Sequence, residues 1–201
     1  MIDLTGEKTG AFIRPYMGEF RSGDAVVVKE SPEGTFLAII DALGHGSSAA
    51  TVAERVTDFI KASTVTSLVE LVKMVDDLLK GGGSANGVAL GLCFVENGGS
   101  VRYVGVGNTT ARVISSSHRQ FHFVSKDGTA GQVFPTPVEQ SATVQSGDLI
   151  VFTTDGVKSH IDPEAETSIL FSGSAYKVAS EIVQNFGKQH DDAACLVYRH
   201  D

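Results

Sequence analysis

The sequence has little of what several large protein classes require. It holds only two cysteines, Cys93 and Cys195, both within apolar stretches, so we expect buried side chains rather than a zinc motif or a disulfide framework. No apolar run reaches the ~18 residues of a membrane span. Residues 1–8 lack the basic start and apolar centre of a signal peptide, and we therefore expect a cytoplasmic protein without a membrane partner.

Basic residues are also scarce. There are 16 lysines and arginines against 24 aspartates and glutamates, which gives a net charge of −8. Binding to a nucleic-acid backbone needs a basic face, so we expect no nucleic-acid partner. A phosphorylated substrate stays compatible with this charge if a metal supplies local positive charge. With 201 residues and 42% hydrophobic composition, the chain is expected to form one compact domain over 1–201.

Apolar periodicity divides the chain into strands and helices. β-branched and aromatic runs between turn residues predict strands within 11–42, a final strand over 193–198, and hairpins over 88–106, 110–125 and 143–153. Apolar residues at steps of three and four predict helices over 47–62, 68–79 and 175–186. Because the helices are grouped rather than alternating with strands, we expect an α+β fold, an antiparallel β-sandwich with helices packed on both outer faces.

Four aspartates lie at the ends of apolar runs that read as buried strands: Asp24, Asp41, Asp155 and Asp191. A carboxylate in such a place is costly unless something pairs with it. If Asp24 and Asp41 lie on neighbouring strands of one hairpin, a cation between them would keep both ionised. Hard divalent metals prefer such oxygen ligands. The aspartates therefore predict a shared cation site.

This prediction has a chemical consequence and an alternative. Two divalent ions sharing one water would lower its pKa and bind phosphoryl oxygens, which indicates hydrolysis of a phosphate ester without a protein nucleophile. The alternative is that each aspartate is a turn residue, since Ser-Gly-Asp and Asp-Gly are common turn sequences. For Asp148, in the Ser-Gly-Asp of 146–148, we adopt the turn interpretation.

Residues 41–46 read D-A-L-G-H-G and resemble the D-x-x-G-H-G motif of metal-dependent type 2C serine/threonine phosphatases, the PPM family, in its bacterial SpoIIE-like branch. The other motifs follow in the family's order: Gly23-Asp24, Gly107-Asn108, T-T-D-G at 153–156, and Asp191-Asp192. The resemblance covers nearly the whole chain. It implies a PPM-type α-β-β-α fold that binds two Mn²⁺ or Mg²⁺ ions.

Six residues would form the metal site that the resemblance implies: Asp24, Asp41, Ala42, Asp155, Asp191 and Asp192. Asp41 would bridge the two ions, and the Ala42 carbonyl would bind one of them. Asp155 and Asp191 would hold the other ion. Asp24 would act directly or through water, and Asp192 would serve the site more as a support than as a ligand.

Three further residues would serve the substrate by the same resemblance. His45 would protonate the leaving seryl oxygen, or it would only cap or pack at a helix start. Arg21 would bind the phosphate, since a guanidinium suits bidentate phosphate contacts, or it would be an exposed loop arginine. Asn108 would contact the phosphate, fix the loop beside the metals, or form an ordinary Gly-Asn turn.

The expected activity is hydrolysis of phosphoserine or phosphothreonine on a regulatory protein. Only a short stretch lies ahead of Asp24, and we therefore expect a stand-alone phosphatase domain. Such a form resembles a feedback phosphatase of the bacterial stressosome pathway, which implies a phosphorylated STAS-domain scaffold or antagonist as partner. A catalytically silent binding module of this fold and a small phosphate-ester hydrolase are the alternatives. Residues 157–174 lie where family members carry a variable flap, so we expect substrate selectivity there.

Overall fold

A computed structural model describes residues 5–80, 87–117, 119–158 and 167–201. These ranges contain ten strands and four helices, in the order β1 (Thr9–Arg14), β2 (Asp24–Ser31), β3 (Gly34–Ala42), α1 (Gly46–Ala62), α2 (Leu68–Lys80), β4 (Val88–Glu96), β5 (Ser100–Val106), β6 (Thr110–Ile114), β7 (Gln120–Phe123), β8 (Gln140–Thr143), β9 (Leu149–Thr153), α3 (Thr167–Leu170), α4 (Ala175–Phe186) and β10 (Ala193–Arg199).

The strands form two five-stranded antiparallel sheets. The first sheet has the order β1-β10-β9-β6-β7, and the second has the order β2-β3-β4-β5-β8. Leu37 and Ile39 of the second sheet pack with Phe152 and Leu196 of the first in one buried cluster. The two sheets therefore face each other as a sandwich.

Helices cover the outer face of each sheet. Val56 of α1 and Val75 of α2 pack against Leu90 of the second sheet, while Ile182 of α4 packs against Cys195 of the first. This confirms the predicted α+β sandwich with helices on both outer faces, and both cysteines are buried, free thiols as expected. Within the described ranges, no helix combines the length and apolarity needed to cross a bilayer.

The predicted hairpin over 143–153 is wrong. Its first strand, β8, ends at Thr143 and pairs with β5 in the second sheet, whereas β9 pairs with β10 and β6 in the first. The turn between them carries the chain from one sheet to the other. Asp148 does form a turn there, because its side chain accepts a hydrogen bond from the Gln145 N–H at 2.9 Å. A turn signal reports the reversal of the chain but not the strand that becomes its partner.

Candidate metal centre

Strand pairing brings Asp24 and Asp41 together at one end of the second sheet. The two residues lie directly opposite each other in the β2–β3 ladder, where Cβ atoms are roughly 4.5–5.5 Å apart. Alternate residues of a strand share one face, so Asp24 is on the face of Val26 and Asp41 on the face of Ile39. Val26 and Ile39 both belong to the core between the sheets. The two carboxylates therefore point into the end of the inter-sheet space.

The first sheet supplies two further aspartates at the same end. Strand β9 ends at Thr153 and β10 begins at Ala193, and these strands are antiparallel neighbours. Asp155 therefore leaves the sheet beside the point where Asp191 leads into it. Their charges act on each other and on the second sheet, since Asp155 contributes to raising the pKa of both Asp41 and Asp191. All four predicted aspartates thus meet at one end of the sandwich.

Hydrogen bonds join the two sheets at this end. The Thr154 hydroxyl donates to Asp24 Oδ2 at 2.7 Å, and it accepts from the Ala194 N–H at 2.9 Å. Thr154 is buried, so the contact holds the Asp24 carboxylate in place from the opposite sheet. Thr154 was not predicted from the sequence, where its position in the T-T-D-G motif was the one available signal.

Asp192 holds the loop between β1 and β2, residues 15–23, at the site. Its carboxylate accepts the Tyr16 N–H at 2.7 Å and the Gly23 N–H at 2.9 Å, one on each oxygen. A side chain at position 23 would be crowded, because a Cβ there would lie 3.2 Å from Asp192 Oδ2 and 2.8 Å from the Ala49 Cβ. The arrangement gives Asp192 a positioning role, while its service as a metal ligand stays a prediction.

Burial and mutual repulsion raise the pKa of three carboxyl groups. Burial and then the charge of Asp41 raise the pKa of Asp24 well above its ordinary value, against the opposing hydrogen bond from Thr154. Burial, followed by the charges of Asp155 and Asp191, raises the pKa of Asp41 to about 7. Burial and then Asp155 also raise the pKa of Asp191. Without a nearby cation, these groups hold protons near neutral pH more readily than free aspartate does.

These properties fit a divalent cation. A cation among buried carboxylates stabilises their ionised forms and removes the cost that raises their pKa. In the described ranges, no three Asp, Glu, His or Cys side chains are already gathered closely enough to hold one ion. Mg²⁺ does not need such a group, because it is usually held by one or two carboxylates and keeps several waters. The Ala42 carbonyl, adjacent to Asp41, could complete such a site.

His45 lies at the start of α1 and is exposed. Its ring stacks on Tyr16 with 4.5 Å between the ring centroids, and its Nδ1 is 3.4 Å from Glu19 Oε1. The side chain makes no capping hydrogen bond to α1. The structure therefore shows His45, four residues after Asp41 in the chain, as a packed, accessible imidazole whose side chain does not cap α1.

The other two predicted substrate residues have protein partners. Arg21 Nη2 lies 2.6 Å from Glu54 Oε1 of α1, and both side chains are exposed. Asn108 donates its side-chain N–H to Asp155 Oδ2 at 2.5 Å. This contact favours the interpretation in which Asn108 fixes the loop beside the metals. Contact of Arg21 or Asn108 with phosphate stays a prediction.

The segment expected to carry selectivity is described only in part. Val157 forms a bridge with Gly187, and the Lys158 N–H donates to the Phe186 carbonyl at 2.9 Å. These contacts join the chain after Asp155 to the end of α4. Residues 159–166 of the predicted segment lie outside the described ranges, so its role in selectivity stays a prediction.

Comparison with known proteins gives a family and a set of similar folds. Residues 31–201 match the family described as Stage II sporulation protein E (SpoIIE). A structure from a study of the bacterial stressosome, described as a modular system adapted to control secondary messenger signalling, is 28% identical, with a TM-score of 0.86 and coverage of 96% of this chain and 98% of the other. No curated protein matches significantly.

Two further solved structures share the fold and were determined with divalent metals. RsbX in complex with magnesium is 18% identical, with a TM-score of 0.80 over 96% of this chain and 94% of RsbX. The catalytic domain of the serine threonine protein phosphatase PstP, in complex with two manganese ions, is 12% identical. Its TM-score is 0.74 over 96% of this chain and 97% of PstP.

Proposed function

Because the chain belongs to the SpoIIE family of PPM-type phosphatases, we propose that it is a Mn²⁺- or Mg²⁺-dependent protein phosphatase acting on phosphoserine or phosphothreonine. The observation that carries this proposal is the meeting of Asp24 and Asp41 from one sheet with Asp155 and Asp191 from the other. Four acidic groups in a partly buried place would be a liability in a purely structural protein. Residues 1–201 are proposed to form one such catalytic domain.

The proposed ligands are Asp24, Asp41, the Ala42 carbonyl, Asp155 and Asp191. These residues would hold divalent ions, and the chemistry that such ions would supply is activation of a water and neutralisation of charge on the phosphoryl oxygens. The protein's own part is to keep the carboxylates oriented. Thr154 holds Asp24, and Asn108 holds Asp155, through the hydrogen bonds described above.

His45 is the proposed proton donor to the leaving seryl or threonyl oxygen. It is exposed and follows Asp41 by four residues, its ring stacks on Tyr16, and its Nδ1 lies 3.4 Å from Glu19 Oε1. A positioned imidazole is the commonest side chain for this task. The start of α1, directly after His45, also presents free N–H groups that favour a bound anion.

The proposed substrate is a phosphorylated STAS-domain protein of a stressosome or of a related regulatory pathway. The support is the similarity to a structure from a stressosome study and, at the level of the fold, to RsbX. A cytoplasmic location is part of this proposal. A silent binding module and a small-ester hydrolase are the competing functions.

The test uses the purified chain with EDTA, Mn²⁺ or Mg²⁺, on para-nitrophenyl phosphate and on a phosphorylated STAS-domain protein. We expect turnover of both substrates only with a divalent metal. Turnover of neither would favour the binding module, and turnover of the small ester alone would favour the hydrolase.

A pair of matched substitutions tests the site itself. Asp155→Asn removes a proposed ligand charge at nearly constant shape, and we expect it to abolish turnover while the protein remains folded. Asp148→Asn makes the same chemical change at a turn, where the amide oxygen can still accept from Gln145, and should leave turnover intact. Full turnover by Asp155→Asn would show that the site assignment is wrong.

A further inference from the structure

Three large apolar side chains are exposed on the loops that border the candidate metal centre. Met17 is 65% exposed, Phe20 is 99% exposed and Leu43 is 49% exposed. We call these three residues the apolar rim. Single exposed apolar side chains are common on protein surfaces. Here they lie on two loops that also contribute to one functional site, which calls for a functional explanation.

The first of these loops is fastened at both ends. The Tyr16 N–H and the Gly23 N–H both donate to the carboxylate of Asp192, and Met17 and Phe20 lie between these two points. Within the loop, the Glu19 N–H donates to the Tyr16 carbonyl at 2.9 Å. Phe20 is thus presented to solvent by a loop with defined hydrogen bonds rather than left exposed by a free chain end.

The second loop packs against the first. The Tyr16 ring stacks on His45, and Glu19 Oε1 approaches His45 Nδ1. Leu43 lies two residues before His45, and its N–H donates to the Gly87 carbonyl at 3.0 Å. The apolar rim therefore belongs to one connected structure that also carries Asp41 and the proposed proton donor.

We propose that the apolar rim is the docking surface for the folded protein that carries the phosphate. The proposal rests on the proposed phosphatase function. In phosphoserine, only one methylene lies between the main chain and the phosphate ester. A phosphate bound at the candidate metal centre would therefore bring the partner's surface around the phosphoserine into contact with these two loops. The partner should present an apolar patch beside its phosphorylated serine or threonine.

The charges near Phe20 favour an apolar contact over an ionic one. Arg21 is already paired with Glu54 at 2.6 Å, and Glu19 Oε1 lies 3.4 Å from His45 Nδ1, so the charged side chains on either side of Phe20 already have partners within the chain. An anionic membrane is a poor occupant, since the chain carries a net charge of −8. A second copy of this chain is the other possible occupant, and the experiment separates it from a substrate.

The test compares wild type with Phe20→Ser and Met17→Ser. Met74→Ser is the matched control, because Met74 is 38% exposed on α2. Turnover is measured on a phosphorylated STAS-domain protein, on a short phosphoserine peptide copied from it, and on para-nitrophenyl phosphate. Thermal unfolding and sedimentation are recorded for each variant with saturating Mn²⁺.

We expect Phe20→Ser to lower kcat/KM on the folded phosphoprotein roughly tenfold, chiefly through KM, because a central aromatic anchor dominates such contacts. Turnover of the peptide and the small ester, the unfolding temperature and the sedimentation coefficient should stay at wild-type values. Met17→Ser should show a smaller effect in the same direction, and Met74→Ser none.

Several results would overturn the proposal. They are an unchanged kcat/KM of Phe20→Ser on the folded phosphoprotein, an equal loss on all three substrates, or a change in sedimentation that reveals a second copy on this surface. If the wild-type protein hydrolyses the peptide and the small ester but not the folded phosphoprotein, the docking role of the apolar rim is rejected, while the phosphatase function stands. If wild type with Mn²⁺ hydrolyses none of the three, the phosphatase function itself fails.

Discussion

Replacing Thr154 by valine should weaken both the fold and metal binding. The substitution keeps the shape of the side chain and removes a buried hydroxyl that donates to Asp24 and accepts from the Ala194 N–H. With Mn²⁺ present Asp24 is ionised, and a hydrogen bond to a charged group contributes about 1.5–3 kcal/mol, while a buried donor left unsatisfied, here the Ala194 N–H, costs about 1–3 kcal/mol. Because these two terms overlap, we expect a loss of about 3 kcal/mol in the free energy of unfolding.

The effect on the metal follows from the same contact. The Thr154 hydrogen bond opposes the rise in the pKa of Asp24, so its removal raises that pKa further. Metal ligands must be ionised, and the affinity for Mn²⁺ should therefore fall. Thr154→Ser keeps a hydroxyl and should restore much of both properties.

The neighbouring threonine provides the control. The Thr153 hydroxyl pairs with that of Thr110 at 2.7 Å, and among the residues that the structure describes no hydrogen bond joins it to a carboxylate. Thr153→Val should therefore lower the free energy of unfolding but leave Mn²⁺ affinity unchanged. Urea unfolding and titration calorimetry with Mn²⁺ measure the two quantities. If Thr154→Val binds Mn²⁺ as tightly as Thr153→Val does, the proposed coupling between Thr154 and the metal centre is incorrect.

Two further predictions follow from the same carboxylates. In EDTA, the free energy of unfolding should fall as pH rises from about 4 to about 7, by up to ~1.4 kcal/mol per pH unit for each proton. The reason is that Asp41 has a pKa of about 7 in the folded protein against 3.8 as its ordinary value, so the folded state binds more protons in that window. Urea unfolding at several pH values checks this, and a free energy of unfolding that rises over the window would contradict it. Asn108→Ala removes the 2.5 Å hydrogen bond to Asp155 and should lower kcat/KM on para-nitrophenyl phosphate about tenfold, with Asn97→Ala, which loses a contact to the Pro32 carbonyl, as the unaffected control. Equal kcat/KM values for these two variants would remove the positioning role of Asn108.

Much of the fold follows from local patterns. The helices α1, α2 and α4 bury one apolar face each, which is what a step of three and four residues predicts. The hairpin of β4 and β5 follows from its Asn-Gly turn. The error over 143–153 arose because strand pairing is a long-range property. The difference in composition was informative, since polar β8 is an edge strand and apolar β9 is a central one.

In the candidate site, too, the local contacts could be predicted from the sequence and the long-range contacts could not. Asp24 and Asp41 are paired across one local hairpin, so their meeting could be predicted from the turn between them. The contacts of Asp192 with Tyr16 and Gly23 join residues 176 and 169 positions apart. Tyr16 follows β1, which is the neighbour of β10 in the first sheet, whereas Gly23 adjoins β2 of the second sheet. No local pattern predicts which distant carboxylate accepts a main-chain N–H. The role of Thr154 could not be predicted for the same reason, because its hydrogen bond to Asp24 joins residues 130 positions apart.

These long-range contacts make the candidate metal centre part of the contact between the two sheets. Asp24 and Asp41 belong to one sheet and Asp155 and Asp191 to the other, so ions held among them would draw the two sheets together. By mass action, a ligand at 100 times its Kd stabilises the folded state by about 2.7 kcal/mol. Metal removal would instead leave repulsion across this contact, increasingly so at higher pH.

The loop that carries Phe20 depends on the same contact between the sheets, because Asp192 holds both of its ends and directly precedes β10. Bound metal would therefore order the proposed docking surface as well as the catalytic groups. It follows that chelation should weaken binding of the phosphoprotein and not only its turnover. The same ions would then support both the binding of the phosphoprotein at the apolar rim and the hydrolysis of its phosphate at the carboxylates.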